Sequence, residues 1–210
     1  MRLHRVYARQ GKKKENNMLG LKLKTDPRWV KIAESNVSEI LTDHAWCEQK
    51  AATNAITLIV HNPAIPELVT ELIKLAREEM DHFNQVHEFI IKRGYILGKE
   101  RKDDYVNKLM AITRKGFSHE IQLLDKLLFS ALIEARSCER FRVLSLNIED
   151  QELASFYHEL MISEAGHYTL YLSLARKYCA GQDVDARWNE YLDFEGNLIE
   201  SYGKSEQIHG

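Results

Sequence analysis

Residues 66–94 read PELVTELIKLAREEMDHFNQVHEFIIKRG. Apolar side chains return every three or four positions, through Leu68, Leu72, Leu75, Val86 and Phe89 or Ile90. That is the period of one helix face. Glu79 and His82 fall inside this stripe, where ionised groups are rarely tolerated. A helix that turns a carboxylate and an imidazole towards its core needs cations to meet them.

The arrangement occurs twice. Glu48 precedes Glu79 and His82 by 31 residues, and Glu134 precedes Glu164 and His167 by 30, each interval fitting one helix and its connection to the next. Glu164 and His167 lie in the stripe Leu153, Tyr157, Leu160, Tyr171 and Leu174. Glu48 lies among Val37, Leu41, Ala45, Ala52, Ala55 and Ile59, and Glu134 among Leu124, Leu127, Ala131, Cys138 and Phe141. A third Glu-x-x-His, Glu206 to His209, sits at the C-terminus and reads as chance. Four inward glutamates with no inward Lys or Arg would each cost several kcal/mol, an objection that two divalent cations remove. Four glutamates and two histidines are the set by which ferritin-like bundles hold two metal ions. Glu139 rivals Glu134, but Arg136 and Arg142 offer it partners on another face. Ala51, Ala52, Ala131 and Ala135 would leave room for bridging carboxylates and a small molecule.

Helix signals surround these positions and strand signals are almost absent. Asp26-Pro27 opens a short helical piece, and Asn36 with Glu39 resembles a cap for a long helix ending at His61-Asn62-Pro63. Pro66 suits the first turn of the second long helix, which stops near Gly94. Ser118 caps the third, which ends near Asn147. Asp150 caps the fourth, with Gly181 at its end, and a further helix spans 185–202. Turns near 62–65 and 148–150 are short, whereas 94–117 is long, with a helical stretch near 104–114. Short, long, short is the ferritin-like order of connections. The expected fold is therefore all-α: a ferritin-like four-helix bundle with a long crossover and an extra C-terminal helix. Its domain spans 26–210, after a basic, loosely ordered segment 1–25.

No apolar run approaches the roughly 20 residues of a membrane span, and the basic N-terminus has no apolar core of a secretory signal. Cys47, Cys138 and Cys179 show no Cys-x-x-Cys spacing and read as reduced, packed thiols of a cytoplasmic protein. The net charge of −2 hides basic clusters, nine Lys or Arg within 1–28 and eight within 92–115. The second cluster, with Lys99, Arg101 and Lys102, is a candidate polyanion contact. Carboxylate and imidazole ligands suit iron or manganese better than zinc.

Four stretches carry a family resemblance: His44-Ala-Trp-Cys-Glu-Gln-Lys-Ala-Ala52, Arg77-Glu-Glu-Met-Asp-His-Phe83, Ala131-Leu-Ile-Glu-Ala-Arg-Ser-Cys-Glu-Arg-Phe141 and Ser163-Glu-Ala-Gly-His-Tyr168. Over roughly 27–200 the chain resembles the tRNA hydroxylases that act on 2-methylthio-N6-isopentenyladenosine. The resemblance implies two iron ions on Glu48, Glu79, His82, Glu134, Glu164 and His167. It also implies dioxygen as co-substrate, tRNA as substrate and hydroxylation of the isopentenyl group beside the anticodon. No Gly-x-Gly-x-x-Gly occurs, so electrons are expected from an external reductase or ferredoxin. The competing expectations are a ferroxidase or iron-storage protein, a manganese catalase, and a non-catalytic RNA-binding bundle.

Overall fold

The computed structural model describes residues 18–200 and Ile208. Among them are seven α-helices and no strand: α1 Trp29–Ser35, α2 Val37–His61, α3 Pro66–Lys92, α4 Asp104–Leu109, α5 His119–Asn147, α6 Gln151–Tyr178 and α7 Val184–Ile199. Single 3-10 turns cover Met18–Gly20 and Met110–Ile112. The architecture is the expected ferritin-like bundle. Helix α2 packs along α3 and α5 along α6, each pair joined by a short turn.

Most helix ends follow their sequence signals. Pro66 opens α3, and Gly94 takes a left-handed φ of 71° just beyond its end. The amides of Glu152 and Leu153 donate to Asp150 Oδ1 at 3.0 Å, and that of Ile121 donates to Ser118 Oγ at 3.5 Å. Two signals worked differently. Asn36 precedes α2 but its side chain caps nothing, because the same residue closes α1 and its backbone makes the turn. Gly181 does not terminate α6, which closes through the Cys179 amide on Ala175 O at 2.9 Å. Its amide instead donates to Glu120 Oε1 at 2.9 Å, and an added Cβ would lie within 2.9 Å of that oxygen.

The core has two parts along the bundle axis. One gathers Leu58, Leu68 and Leu72 with Leu124, Leu127 and Ala175; the other gathers Leu41, Val86 and Ile90 with Phe141, Leu144 and Leu160. The charged residues of the sequence motifs lie between them. Because α3 ends in the second core and α5 begins in the first, connection 93–118 must travel the length of the bundle. It is tied down on the way: Trp46 Nε1 donates to Gly98 O at 2.9 Å, and Asp103 Oδ1 caps α4 through the Val106 amide at 2.9 Å.

Helix α7 and residues before α1 cover the outer side of α5. Leu21 is buried, and the Thr25 amide donates to Glu139 Oε1 at 2.9 Å, so packing begins before residue 26. Arg136 bridges Glu139 at 3.0 Å and Glu195 of α7 at 2.6 Å, which explains why Glu139 is buried yet turned away from the other acids. Arg142, the other expected partner of Glu139, is exposed; Thr25 takes that place. Residues 1–17, with most of the first basic cluster, and the pair Glu206 and His209 lie outside the described residues.

Candidate metal centre

Helices α2, α3, α5 and α6 each turn acid towards the bundle axis. Glu48, Glu79, His82 and Glu164 offer ligand atoms that all lie within 4.8 Å of one another, and Glu79, Glu134, Glu164 and His167 form a second such group. All six residues predicted from sequence are therefore brought together, and all are buried. Glu79 and Glu164 belong to both groups, whereas Glu48 and Glu134 belong to one each. The two groups thus share the glutamates of the two Glu-x-x-His repeats. The i, i+3 spacing explains it, since each repeat points carboxylate and imidazole the same way from one helix.

His82 Nδ1 stands 3.4 Å from Glu79 Oε2 and 3.6 Å from both Glu48 Oε2 and Glu164 Oε1. His167 Nδ1 stands 2.9 Å from Glu79 Oε1 and 3.4 Å from Glu164 Oε2. Distance alone does not make these hydrogen bonds. Both oxygens of Glu79, Oε1 of Glu164 and Nδ1 of both histidines are buried without one. Buried polar atoms are normally paired, so convergent unpaired ones fit a ligand that accepts their lone pairs. Divalent cations answer that description, and among the described residues no Lys or Arg forms an ion pair with the four glutamates.

The electrostatics say the same. Burial pushes the Glu134 carboxyl well above its usual range, reinforced by Glu164 and Glu79, and burial also raises Glu79. Glu48 moves the other way: burial opposes ionisation, but the His44 bond and the nearby His82 ring bring it down to about 2. Burial disfavours charge on His82, yet Glu48 and Glu79 raise it to about 10, and His167 is likewise raised by Glu164 and Glu79. Cation-free, the cluster keeps protons on its imidazoles; divalent ions would displace them.

Residues 13–210 match the family described as tRNA-(MS[2]IO[6]A)-hydroxylase (MiaE). The chain belongs to this family. It is 40% identical over 187 residues to the tRNA 2-(methylsulfanyl)-N(6)-isopentenyladenosine(37) hydroxylase of Pseudomonas putida, covering 88% of this chain and 89% of that one. The enzyme of the same name from Salmonella typhimurium is 30% identical over 235 residues, covering 88% and 85% respectively. Among solved structures, a Synechococcus protein with aldehyde deformylating oxygenase activity superposes with a TM-score of 0.83. It is 33% identical, and the match covers 90% of this chain and 95% of that one. Family and fold neighbour agree on an enzyme built on a ferritin-like bundle.

Two partners of the ligands in this tRNA-hydroxylase chain escaped the sequence reading. His44 Nε2 lies 2.6 Å from Glu48 Oε1, one helical turn away, and its buried ring stacks near Tyr157. The i, i+4 spacing was the available signal. Behind His167, Nε2 faces Glu78 Oε2 at 3.4 Å, and Ser163 Oγ donates to Glu78 Oε1 at 2.8 Å. Nothing in the sequence separates Glu78 from any other surface acid. All three cysteines are free thiols, and Cys138 Sγ donates to Met161 O at 3.2 Å.

A line of cavities leads to the cluster. An outer cavity of about 440 Å³ is bordered by Arg114, Lys115 and Lys126, and an inner one of about 240 Å³ by Cys47, Ala51, Ile133 and Glu134. Beyond it, a crevice of about 10 Å³ touches Glu48, Glu134 and Glu164. Lys99, Arg101 and Lys102 line none of these cavities; Arg101 pairs with Glu39 at 3.2 Å and Lys102 with Asp104 at 3.7 Å. No described helix is long and apolar enough to cross a membrane.

Proposed function

We propose that this chain hydroxylates the isopentenyl group of 2-methylthio-N6-isopentenyladenosine beside the anticodon of tRNA, with two iron ions held by Glu48, Glu79, His82, Glu134, Glu164 and His167. The observation that carries the reading is a pair of four-residue ligand groups sharing Glu79 and Glu164, set at the end of an apolar cavity in a chain of this family. Two irons there would supply what no side chain can, activation of dioxygen for attack on an unactivated C–H bond.

The protein's own residues define the rest. Glu48, Glu79, His82 and Glu164 would hold one ion, and Glu79, Glu134, Glu164 and His167 the other. The His44 bond fixes the Glu48 carboxylate, and Glu78 orients the His167 ring so that Nδ1 faces the cluster. Ala51 and Ile133 keep the approach narrow and dry and hold the alkenyl group against the ligands, while the charged nucleotide backbone stays outside. Two electrons per turnover would come from a separate reductase or ferredoxin. A ferroxidase on the same ligands leaves the apolar cavity without a use.

Nucleoside mass spectrometry of tRNA tests the reading. Cells expressing the chain should convert the methylthio-isopentenyl nucleoside to a product one oxygen heavier, and cells lacking it should not. An unchanged nucleoside profile would overturn the assignment.

A further inference from the structure

Asn54, Val106 and Phe129 line both the outer and the inner cavity, so they form the neck between them. Asn54 is the only hydrogen-bonding side chain of the three. Its Nδ2 donates to Ser130 Oγ at 2.8 Å, and Ser130 Oγ donates to Lys126 O at 2.9 Å. Because the hydroxyl proton is committed to that carbonyl, Ser130 must accept from Asn54, which fixes the amide's orientation. The amide nitrogen thus faces Ser130 and the buried Tyr171 hydroxyl, which leaves Oδ1 of Asn54 to accept. Phe129 is half-buried, its ring anchored against the first core.

We propose that this neck reads the base: the purine ring lies on Phe129, against Val106, and its substituted edge meets the amide of Asn54. The chemistry matches group by group. An N6-alkylated adenine keeps one N6–H donor, and Asn54 Oδ1 offers the acceptor that meets it. Aromatic side chains serve as stacking platforms for unpaired bases. With the ring at the neck, the N6 substituent enters the inner cavity, whose 240 Å³ holds a five-carbon branch on the scale of about 30 Å³ per water. The ribose and phosphates stay in the outer cavity, bordered by Lys115 and Lys126. Asn54 is thereby a specificity-determining residue that selects a base still carrying N6–H. This assignment rests on the hydroxylation proposed above.

The test uses two anticodon stem-loop RNAs, one with N6-isopentenyladenine and one in which an ether oxygen replaces N6–H. Affinity is measured for each, and product formation alongside. The parent protein should prefer the N6–H RNA by about tenfold, the discrimination expected when the ether strands the Asn54 acceptor without a donor. Asn54→Ala should bind that RNA about tenfold more weakly and lose the preference, while keeping the metal content of the parent. Ser130→Ala, which frees the amide without altering its reading edge, should lose part of the preference. Equal discrimination by the parent and Asn54→Ala overturns the assignment. If the parent forms no product at all, the hydroxylation reading fails instead, and the affinity comparison still decides on Asn54.

Discussion

Two buried charged clusters lie on opposite sides of α5, around Glu134 and Arg136, and they are neutralised differently. Around Arg136, one guanidinium answers the carboxylates of both Glu139 and Glu195, and Tyr105 donates to Glu195 Oε1 at 3.2 Å. Around Glu134, four carboxylates meet only the three imidazoles of His44, His82 and His167 and no Lys or Arg, although both clusters are buried. The fold can therefore supply arginine to a buried acid when structure alone is at stake. Where it does not, the missing positive charge suits an outside cation. The contrast separates a structural ion network from a candidate metal centre more firmly than burial does.

The sharpest way to break this comparison is to remove the shared ligands. Glu79→Ala or Glu164→Ala should drop iron from about two ions per chain to nearly none, because each residue belongs to both ligand groups. Glu134→Ala should leave about one, and Glu139→Ala should leave both. Equal iron loss in all four variants, measured by elemental analysis, would dissolve the distinction between the clusters.

Stability should respond with opposite sign in the two regions. Arg136→Met strands Glu139 and Glu195 and should cost about 3–5 kcal/mol in denaturant unfolding. In metal-free protein, burial and the neighbouring acids raise the Glu134 carboxyl, so it must take up a proton on folding at neutral pH; Glu134→Gln removes that penalty and should raise the unfolding midpoint. A loss at both sites would mean that the central acids are already compensated from within.

Much of this was legible in the sequence, for a physical reason. Ligands such as Glu79 and His82 stand out because they interrupt apolar stripes, and the four-helix order follows from caps and connection lengths. The reading was weaker where a helix is buried on more than one side. Helix α5 is covered by α6 and also by α7 and the segment before α1, so of the two partners expected for Glu139 only Arg136 meets it, and Thr25 stands where Arg142 was expected. Partners far apart in sequence, such as Glu195 for Arg136, leave no periodic signal at all. The same holds for surface charge: Arg101 and Lys102 look available in a basic run, yet acids from α2 and α4 meet them.

That surface contrast predicts a smaller effect. Neutralising Lys115 and Lys126 together should weaken tRNA binding and lower its salt slope by about 1–2, counting roughly 0.7–0.9 per phosphate contact. Neutralising Lys99, Arg101 and Lys102 should do less, since two of the three are ion-paired. The reverse ranking would move the tRNA surface onto the connection 94–103.

The smallest effect concerns Asp125, another acid met by arginine. Burial opposes its charge, but Arg114 and Arg187 hold its carboxyl below the usual range. A lowered folded value gives stability that is present above the unfolded pKa of about 4 and lost as pH falls through the folded one. Asp125→Asn should therefore flatten the acid limb of the stability profile, and an unaltered limb would remove Asp125 from the account.

The central claim is that the cation-poor cluster exists to use dioxygen on a tRNA base. Reconstituted with iron and supplied with reductant and substrate tRNA, the protein should be run under ¹⁸O-labelled dioxygen and, separately, in labelled water. The account predicts a hydroxylated nucleoside carrying one label from dioxygen and none from water, and no product from Glu134→Ala. Label arriving from water would contradict it.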